Sequence, residues 1–234
     1  MLKKSAGNMY PWVTHTKSYL RGKCPHECSY CYVQAMAKRF PNMRARYGGQ
    51  IALDGPELSE SLGDGRTIFV EHLSDLFAEA VTSETIHTVL NHCRMFWRNT
   101  FVFQSKNPVR YFEFLGFFPM TAIWGTTIET NRHYPEIMRQ APPTAARAVA
   151  MECLRRVLPE REMFITIEPI LDFDLAELVA WLTKIRPTFV NIGADSKGHG
   201  LKEPAAEKVR DLIAAVTAAG IEIRQKTNLA RLLG

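Results

Sequence analysis

What the chain lacks narrows it first. No apolar run approaches the roughly 20 residues that a bilayer-spanning helix needs. The opening Met1-Leu2-Lys3-Lys4-Ser5 has no apolar stretch of the kind a secretory leader carries, so a cytoplasmic protein is expected. Cysteine is scarce, five in 234 residues, too few and too unevenly placed for a secreted disulfide scaffold. Low-complexity tracts, sequence repeats and Ser/Gly linkers are missing, and one domain over residues 1–234 is expected. A composition of 46% hydrophobic and 23% charged residues excludes a disordered or collagen-like chain.

Acid is scarce at one end only. The net charge is +5, yet residues 1–50 hold nine Lys or Arg against a single acid, Glu27. Within this region Lys38-Arg39-Phe40-Pro41-Asn42-Met43-Arg44-Ala45-Arg46-Tyr47-Gly48-Gly49 sets four cations among two aromatics. Cations neutralise phosphates and aromatics stack on bases, so a nucleic acid or another anionic substrate is one expected partner. A basic loop that shields the neighbouring cysteines is the other reading of the same residues. No membrane partner is expected.

What is present is an alternation. Short β-rich apolar runs fall at 67–71, 100–106, 122–129, 163–169, 189–195 and 221–227, with a seventh at 12–18. Helical patterns lie between them at 33–40, 83–97, 107–115, 143–158, 174–185 and 203–219. Asp174 reads as a helix cap, Pro108 as a first-turn residue and Gly220 as a stop. The expected fold is α/β, a partial (β/α)6 TIM-type barrel of parallel strands with outer helices. A doubly wound sheet is the alternative. In both, chemistry belongs at the carboxyl ends of the strands. Polar residues gather there: Glu71, His72, Ser74 and Asp75; Gln104, Ser105 and Lys106; Thr126, Thr127 and Glu129; Glu168; Asp195, Ser196 and Lys197; Gln225 and Lys226.

The decisive segment is Cys24-Pro25-His26-Glu27-Cys28-Ser29-Tyr30-Cys31-Tyr32, in a loop between the first strand and the first helix. Three thiolates at CxxxCxxC spacing can wrap one compact metal centre. A structural zinc wants four closed ligands and usually two knuckles, and no second knuckle exists. Cys93 and Cys153 fall in helical stretches, where a free cysteine is ordinarily a small buried hydrophobe. His26, between two of the cysteines, is an awkward fourth ligand. A cubane held by three sulfurs, with one iron open, fits the spacing better.

CxxxCxxC with Tyr30 before the last cysteine resembles the signature of the radical S-adenosylmethionine superfamily. A closer resemblance runs over most of the chain. The blocks 69–77, 103–108, 124–129, 167–171 and 193–196 are similar to those of a small phage-associated radical S-adenosylmethionine family, itself distantly similar to spore photoproduct lyase. The chain departs from that family before the cysteines, where Trp-Asn-Pro is usual, and at Gly193-Ala194-Asp195, where Gly-Gly-Glu is usual.

The resemblance implies a partial barrel, a [4Fe-4S] cluster on Cys24, Cys28 and Cys31, and S-adenosylmethionine on the open iron. It implies reductive cleavage of that cofactor and hydrogen abstraction from a substrate, here a nucleobase or nucleic acid. Tyr30 would lie against the adenine and Lys106 would hold the cofactor carboxylate. Glu129 and Thr127 would accept the ribose hydroxyls, with weaker claims for Gln104 and Ser74. Glu168 would bind cofactor or substrate, or form a structural ion pair. His72 and Asp75, with Asp195, His199 and Lys226, would face the reactant. An external electron donor such as flavodoxin or ferredoxin is implied. The competing readings are a zinc-stabilised nucleic-acid-binding module without catalysis and a peptide-modifying enzyme of the same superfamily.

Overall fold

Period-two alternation in the central strands sorts their side chains into two separate cores. The computed structural model describes residues 2–196 and 198–234; Met1, and Lys197 from the expected polar rim, lie outside the described residues. The strands are β1 (Lys3–Lys4), β2 (His15–Lys17), β3 (Leu20–Arg21), β4 (Ala52–Leu53), β5 (Thr67–Val70), β6 (Thr100–Gln104), β7 (Ala122–Thr127), β8 (Met163–Ile167), β9 (Phe189–Ile192) and β10 (Glu222–Gln225). The main sheet has eight strands in the order β1-β2-β5-β6-β7-β8-β9-β10, and β3 pairs with β4 apart from it. β1 is antiparallel to β2, while each later neighbour in the main sheet is parallel.

The order follows the chain without reversal. A doubly wound sheet would reverse at a switch point, so that alternative is excluded. The architecture is the partial barrel expected, with β2 and β10 bringing the parallel set one strand past six.

One face of the strands presents Ile68, Val70, Phe101, Phe103, Trp124, Ile165 and Val190 to the helices. The residues between them, Phe69, Val102, Ile123, Phe164 and Phe189, form a second core with Tyr10 and Val13. Residues 8–13 therefore run under the sheet's inner face and fill it. The rings of Tyr10 and Trp12 stack at 5.3 Å, and Trp12 meets Phe164 and Phe189 edge-on at 5.8 and 5.3 Å. Above this apolar layer the inward side chains turn polar. Tyr10 donates to Gln104 Oε1 (2.7 Å) and pairs with Thr166 Oγ1 (2.6 Å), and Gln104 donates to Thr127 Oγ1 (2.8 Å).

The helices that matter to the site are α1 (Tyr32–Arg39), α2 (Pro41–Tyr47), α3 (Ser83–Met95), α4 (Pro135–Met138) and α5 (Thr144–Val157). α6 (Leu175–Ile185), α7 (Ala206–Ala218) and α8 (Ala230–Leu233) complete the outer layer. Three local expectations are corrected. The stretch 107–115 is a 3-10 helix over Pro108–Phe117, with Pro108 in its first turn as expected. The first helical pattern ends at Phe40, which is extended, and Pro41 starts a separate helix. Asp174 does not cap α6 with its side chain, because that carboxylate is held by Arg132 at 2.7 Å. Gly220 ends α7 as expected, at φ +79°, a left-handed conformation that suits glycine. Among the described residues no helix is long and apolar enough to cross a membrane.

Gly125 marks where the inner core is tightest. A Cβ added there would lie 2.2 Å from the Phe164 ring, which is pinned by Phe189 and Tyr10. Gly125→Ala is expected to destabilise the protein by about 1–3 kcal/mol, the usual cost of overpacking, read from urea unfolding.

Candidate active site

The cysteine loop is fixed before any cofactor is considered. Cys31 sits at the N-terminus of α1, where its carbonyl accepts from Gln34 N at 3.2 Å. Cys31 N in turn donates to Cys28 O at 3.1 Å. Two further backbone bonds tie the loop to the segment after β7: Ser29 N to Ile137 O (3.0 Å) and Gln140 N to His26 O (3.1 Å). His26 Nε2 pairs with Asp75 Oδ2 at 2.7 Å, both groups buried. The same carboxylate accepts from Ser105 Oγ (3.0 Å), Lys106 N (2.7 Å) and Phe77 N (2.9 Å). Burial works to raise the Asp75 pKa, but His26 and these donors outweigh it and hold the carboxyl below its ordinary value. Asp75, expected to face a reactant, thus has its oxygens taken up in joining the loop to the ends of β5 and β6.

Cys28 is buried, and Cys24 and Cys31 are half-buried. Burial, aided by the charge of Asp75, pushes the Cys24 thiol up to about 12; burial also raises Cys28. Binding a metal would therefore release protons from these sulfurs. Among the described residues, no three His, Cys, Asp or Glu side chains converge on a point able to hold a single metal ion. Three sulfurs on one loop could carry a cluster with one corner left to a non-protein ligand. A cavity of about 350 Å³ opens beside the loop, with Cys24 and Cys31 in its wall.

Inward of the loop lies a charged cluster. Glu129, two residues past β7, has no exposed surface, and neither does Arg147 of α5. Arg147 donates to Glu129 Oε2 (2.9 Å), Thr127 O (2.9 Å) and Pro142 O (2.7 Å). Lys106 Nζ and Tyr30 OH both contact Glu129 Oε1, and Lys106 Nζ donates to Tyr30 OH at 2.6 Å. Burial opposes ionisation of Glu129, yet Arg147 and then Lys106 prevail and bring its pKa to about 2. Burial drives the Tyr30 hydroxyl the other way, far above its usual range, so it stays protonated. Two cations on one carboxylate leave the cluster with an excess positive charge beside Cys28.

Glu129 is thus less accessible to ribose hydroxyls than expected, being the anchor of Tyr30, Lys106 and Arg147. Arg147 was missed. Its signal was its position: with Met151 and Leu154 it falls on the buried face of α5, where an arginine needs an acidic partner.

The remaining expected residues fall into three groups. Gln104 and Thr127 sit in the polar layer over the Tyr10 floor. Among the described residues, none is a hydrogen-bond partner of the buried Ser74 Oγ. His72 pairs with Ser18 Oγ at 3.2 Å, and burial, with Lys3 and Arg46 nearby, lowers its pKa to about 4, so the ring is neutral above that pH. Just past β8, the strand beside β7, Glu168 is ion-paired: Lys226 Nζ lies at 2.6 Å, and Asn8 and Asn228 donate to its other oxygen at 2.7 and 2.8 Å. Asp195 pairs with His199 Nδ1 at 2.7 Å on the loop after β9.

Glu71 is one of the polar strand ends to which the sequence assigns no role. It follows β5 at φ +60°, and its Oε2 accepts from Tyr19 N (2.7 Å) and Leu20 N (2.9 Å), while Oε1 is buried. Burial raises its pKa to about 7, above what those two donors hold down.

The family model described as "Protein of unknown function (DUF5131)" matches residues 11–227. The chain belongs to that family. No curated protein matches it in sequence. In fold it is similar to a tyrosine-to-phenylalanine variant of spore photoproduct lyase, with TM-score 0.63, 10% identity, and coverage of 93% of this chain and 78% of that one. A second spore photoproduct lyase variant, with bound AdoMet and dinucleoside spore photoproduct, gives TM-score 0.58 at 10% identity, over 90% of this chain. The present chain covers 63% of that protein's length. Streptococcus suis SuiB bound to S-adenosylmethionine gives TM-score 0.55 at 9% identity, covering 92% of this chain and 50% of that one. These last two neighbours hold S-adenosylmethionine, and the likeness to them is one of fold.

Two outcomes are expected. Glu129→Gln leaves Arg147 and Lys106 as unbalanced buried cations and should cost about 3–5 kcal/mol of stability in denaturant unfolding. Glu71 is protonated in the folded state up to about pH 7, but only up to about 4.5 when unfolded. Its stabilising contribution is therefore whole below pH 4.5 and lost as the pH rises through 7. Thermal unfolding at pH 5 and pH 8 should show the wild type losing stability relative to Glu71→Gln across that interval. Parallel profiles would contradict the raised value.

Proposed function

We propose that this chain is a radical S-adenosylmethionine enzyme, in which Cys24, Cys28 and Cys31 hold a [4Fe-4S] cluster whose fourth iron takes the cofactor. The observation that carries the reading is the juxtaposition of the three-thiol loop with the Lys106–Glu129–Arg147 cluster at the carboxyl ends of β6 and β7. When bound, cluster and cofactor supply reductive cleavage of a sulfonium carbon–sulfur bond and a carbon radical able to take a hydrogen atom from a substrate.

The chain's own residues have separate tasks in this reading. The three cysteines lose their protons on binding and carry the cluster. Lys106, held by Glu129 and Tyr30, supplies a preorganised cation for the cofactor carboxylate. Arg147 keeps Glu129 ionised and so keeps Lys106 in place. Ser74 offers a hydroxyl that no group among the described residues uses. Asp75 and His26 position the loop. Gln104 and Thr127 line the inner wall, and the Tyr10 and Trp12 floor closes it from below. Glu168, after β8, and Lys226, after β10, are the reactant-side pair in this reading.

The substrate belongs to the proposal as well. A nucleobase-containing substrate draws support from the sequence resemblance and from the fold likeness to an enzyme with a bound dinucleoside photoproduct. The basic segment supports it less than its sequence suggested. Arg46 is committed to Glu57 and Asp54, and Tyr47 is buried.

Air-free reconstitution with iron and sulfide, followed by S-adenosylmethionine and dithionite, should yield 5′-deoxyadenosine detectable by mass spectrometry. Cys28→Ala should abolish it. Lys106→Ala should raise the apparent KM for S-adenosylmethionine at least about tenfold while leaving the cluster's visible absorbance unchanged, because a charge-assisted hydrogen bond is worth about 1.5–3 kcal/mol. A colourless protein that retains zinc would overturn the reading in favour of a non-catalytic zinc module.

A further inference from the structure

Among the described residues eight large apolar side chains stand exposed, and all but Phe40 fall between Met95 and Val157. They belong to α3, to the 3-10 helix Pro108–Phe117, to α5 and to the turns at their ends, which are neighbours in the outer layer. The helices α6, α7 and α8 present none. Exposed apolar residues scattered singly need no explanation, whereas a gathering on one flank marks a surface that something covers.

The flank has its centre at the amino ends of β6, β7 and β8, the end of the sheet remote from the cysteine loop. Met95 and Trp97 close α3 and are 73% and 67% exposed; Met120, 76% exposed, precedes β7. Hydrogen bonds hold these turns together. Thr121 Oγ1 donates to Asn99 O at 2.7 Å, and Arg161, just past α5, donates to Met120 O at 2.6 Å. The ring of Phe117 lies 4.2 Å from that of His87 on α3. A hollow and a projection thus sit side by side. The hollow, of about 230 Å³, is lined by Asp64, Met95, Phe96, Trp97 and Arg98. The projection is Met120, braced through its carbonyl by Arg161.

We infer that this flank is a two-fold interface on which a second copy of the chain docks, each chain's Met120 entering the hollow beside the other's Trp97. A hollow and a projection on one and the same patch are what a closed, isologous pair requires. The area is sufficient: the seven side chains together expose on the order of 800 Å², about one partner's share of a standard interface. Met and Trp are the residue types that gather at interface centres. Charge narrows the occupant further. At these chain ends the exposed Arg94, Arg98 and Arg156 face equal numbers of acids, Asp64, Glu160 and Glu162. A polyanion or an anionic bilayer would meet three carboxylates, and an acidic protein three guanidinium groups repaid by no surplus. A copy turned about a two-fold axis can set each sign against the other. Pairing through the amino ends of the strands leaves both carboxyl ends, with their cysteine loops, facing outward and open. The inference stands independently of the radical reading above.

The test is sedimentation velocity on the full chain, before and after reconstitution, over a concentration series reaching about 50 μM. Wild type should sediment as two chains and dissociate on dilution. The double variant Trp97→Glu/Met120→Glu should raise the dimer dissociation constant at least about tenfold, since a central aromatic anchor carries a large share of the binding. Its circular dichroism should match wild type, because both side chains are exposed. Phe40→Ser, which removes the one exposed apolar side chain outside the flank, should leave the dimer as it is. A wild type that stays a single chain throughout the series overturns the inference. So does a dimer that the double variant forms equally well, or one that Phe40→Ser dissociates. A mass that keeps growing beyond two chains overturns the two-fold arrangement in favour of an open, head-to-tail contact.

Discussion

A carboxylate with no access to water holds the functional end of this molecule together. Glu129 joins β7 to α5 through Arg147, to β6 through Lys106 and to the cysteine loop through Tyr30. Each link alone is an ordinary hydrogen bond; together they fix three separate segments of chain on one point. A buried charge persists only when its oxygens are filled, and Arg147 and Lys106 fill these. The Asp75–His26 pair does the same on the neighbouring strands, and between them the two carboxylates define where the three thiols stand.

The fold was legible because the alternation of β-rich runs with helical patterns survives in the raw sequence. The central runs reappear as β5 to β10 with their carboxyl ends trimmed, since residues such as Glu71, Ser105 and Glu129 leave the ladder to make side-chain contacts. The helix ends were less legible. Asp174 looks like a cap in isolation, but a distant arginine competes for it, and no local pattern could show Arg132 on the other side of the loop. The 3-10 helix at Pro108–Phe117 carries the apolar spacing of an α-helix, and its Tyr111 and Phe114 pack against Phe77.

For the site, residue type and spacing identified the three cysteines and the polar strand ends. They did not identify which of those ends would be consumed by one another. Lys106 and Glu129 were expected to meet a ligand separately, and in the structure they meet each other. Asp75 behaves similarly: it is filled by His26, Ser105 and two backbone amides, so its task is orientation. Arg147 lay beyond reach of strand-end reasoning, since it belongs to a helix, although an arginine among buried alanine, methionine and leucine was a visible anomaly.

The aromatic floor beneath the polar layer has a consequence for how the chain assembles. Tyr10 and Trp12 find their neighbours in Phe164 and Phe189, more than half the chain away. During synthesis Tyr10 can meet Phe69 of β5 early, but these later contacts wait until β8 and β9 have emerged and docked. Closing so long a loop delays the contact even though it adds little to its final cost. The inner core is thus a late-forming seal, and a nascent chain halted before residue 164 would expose its stickiest surface to whatever chaperone is at hand.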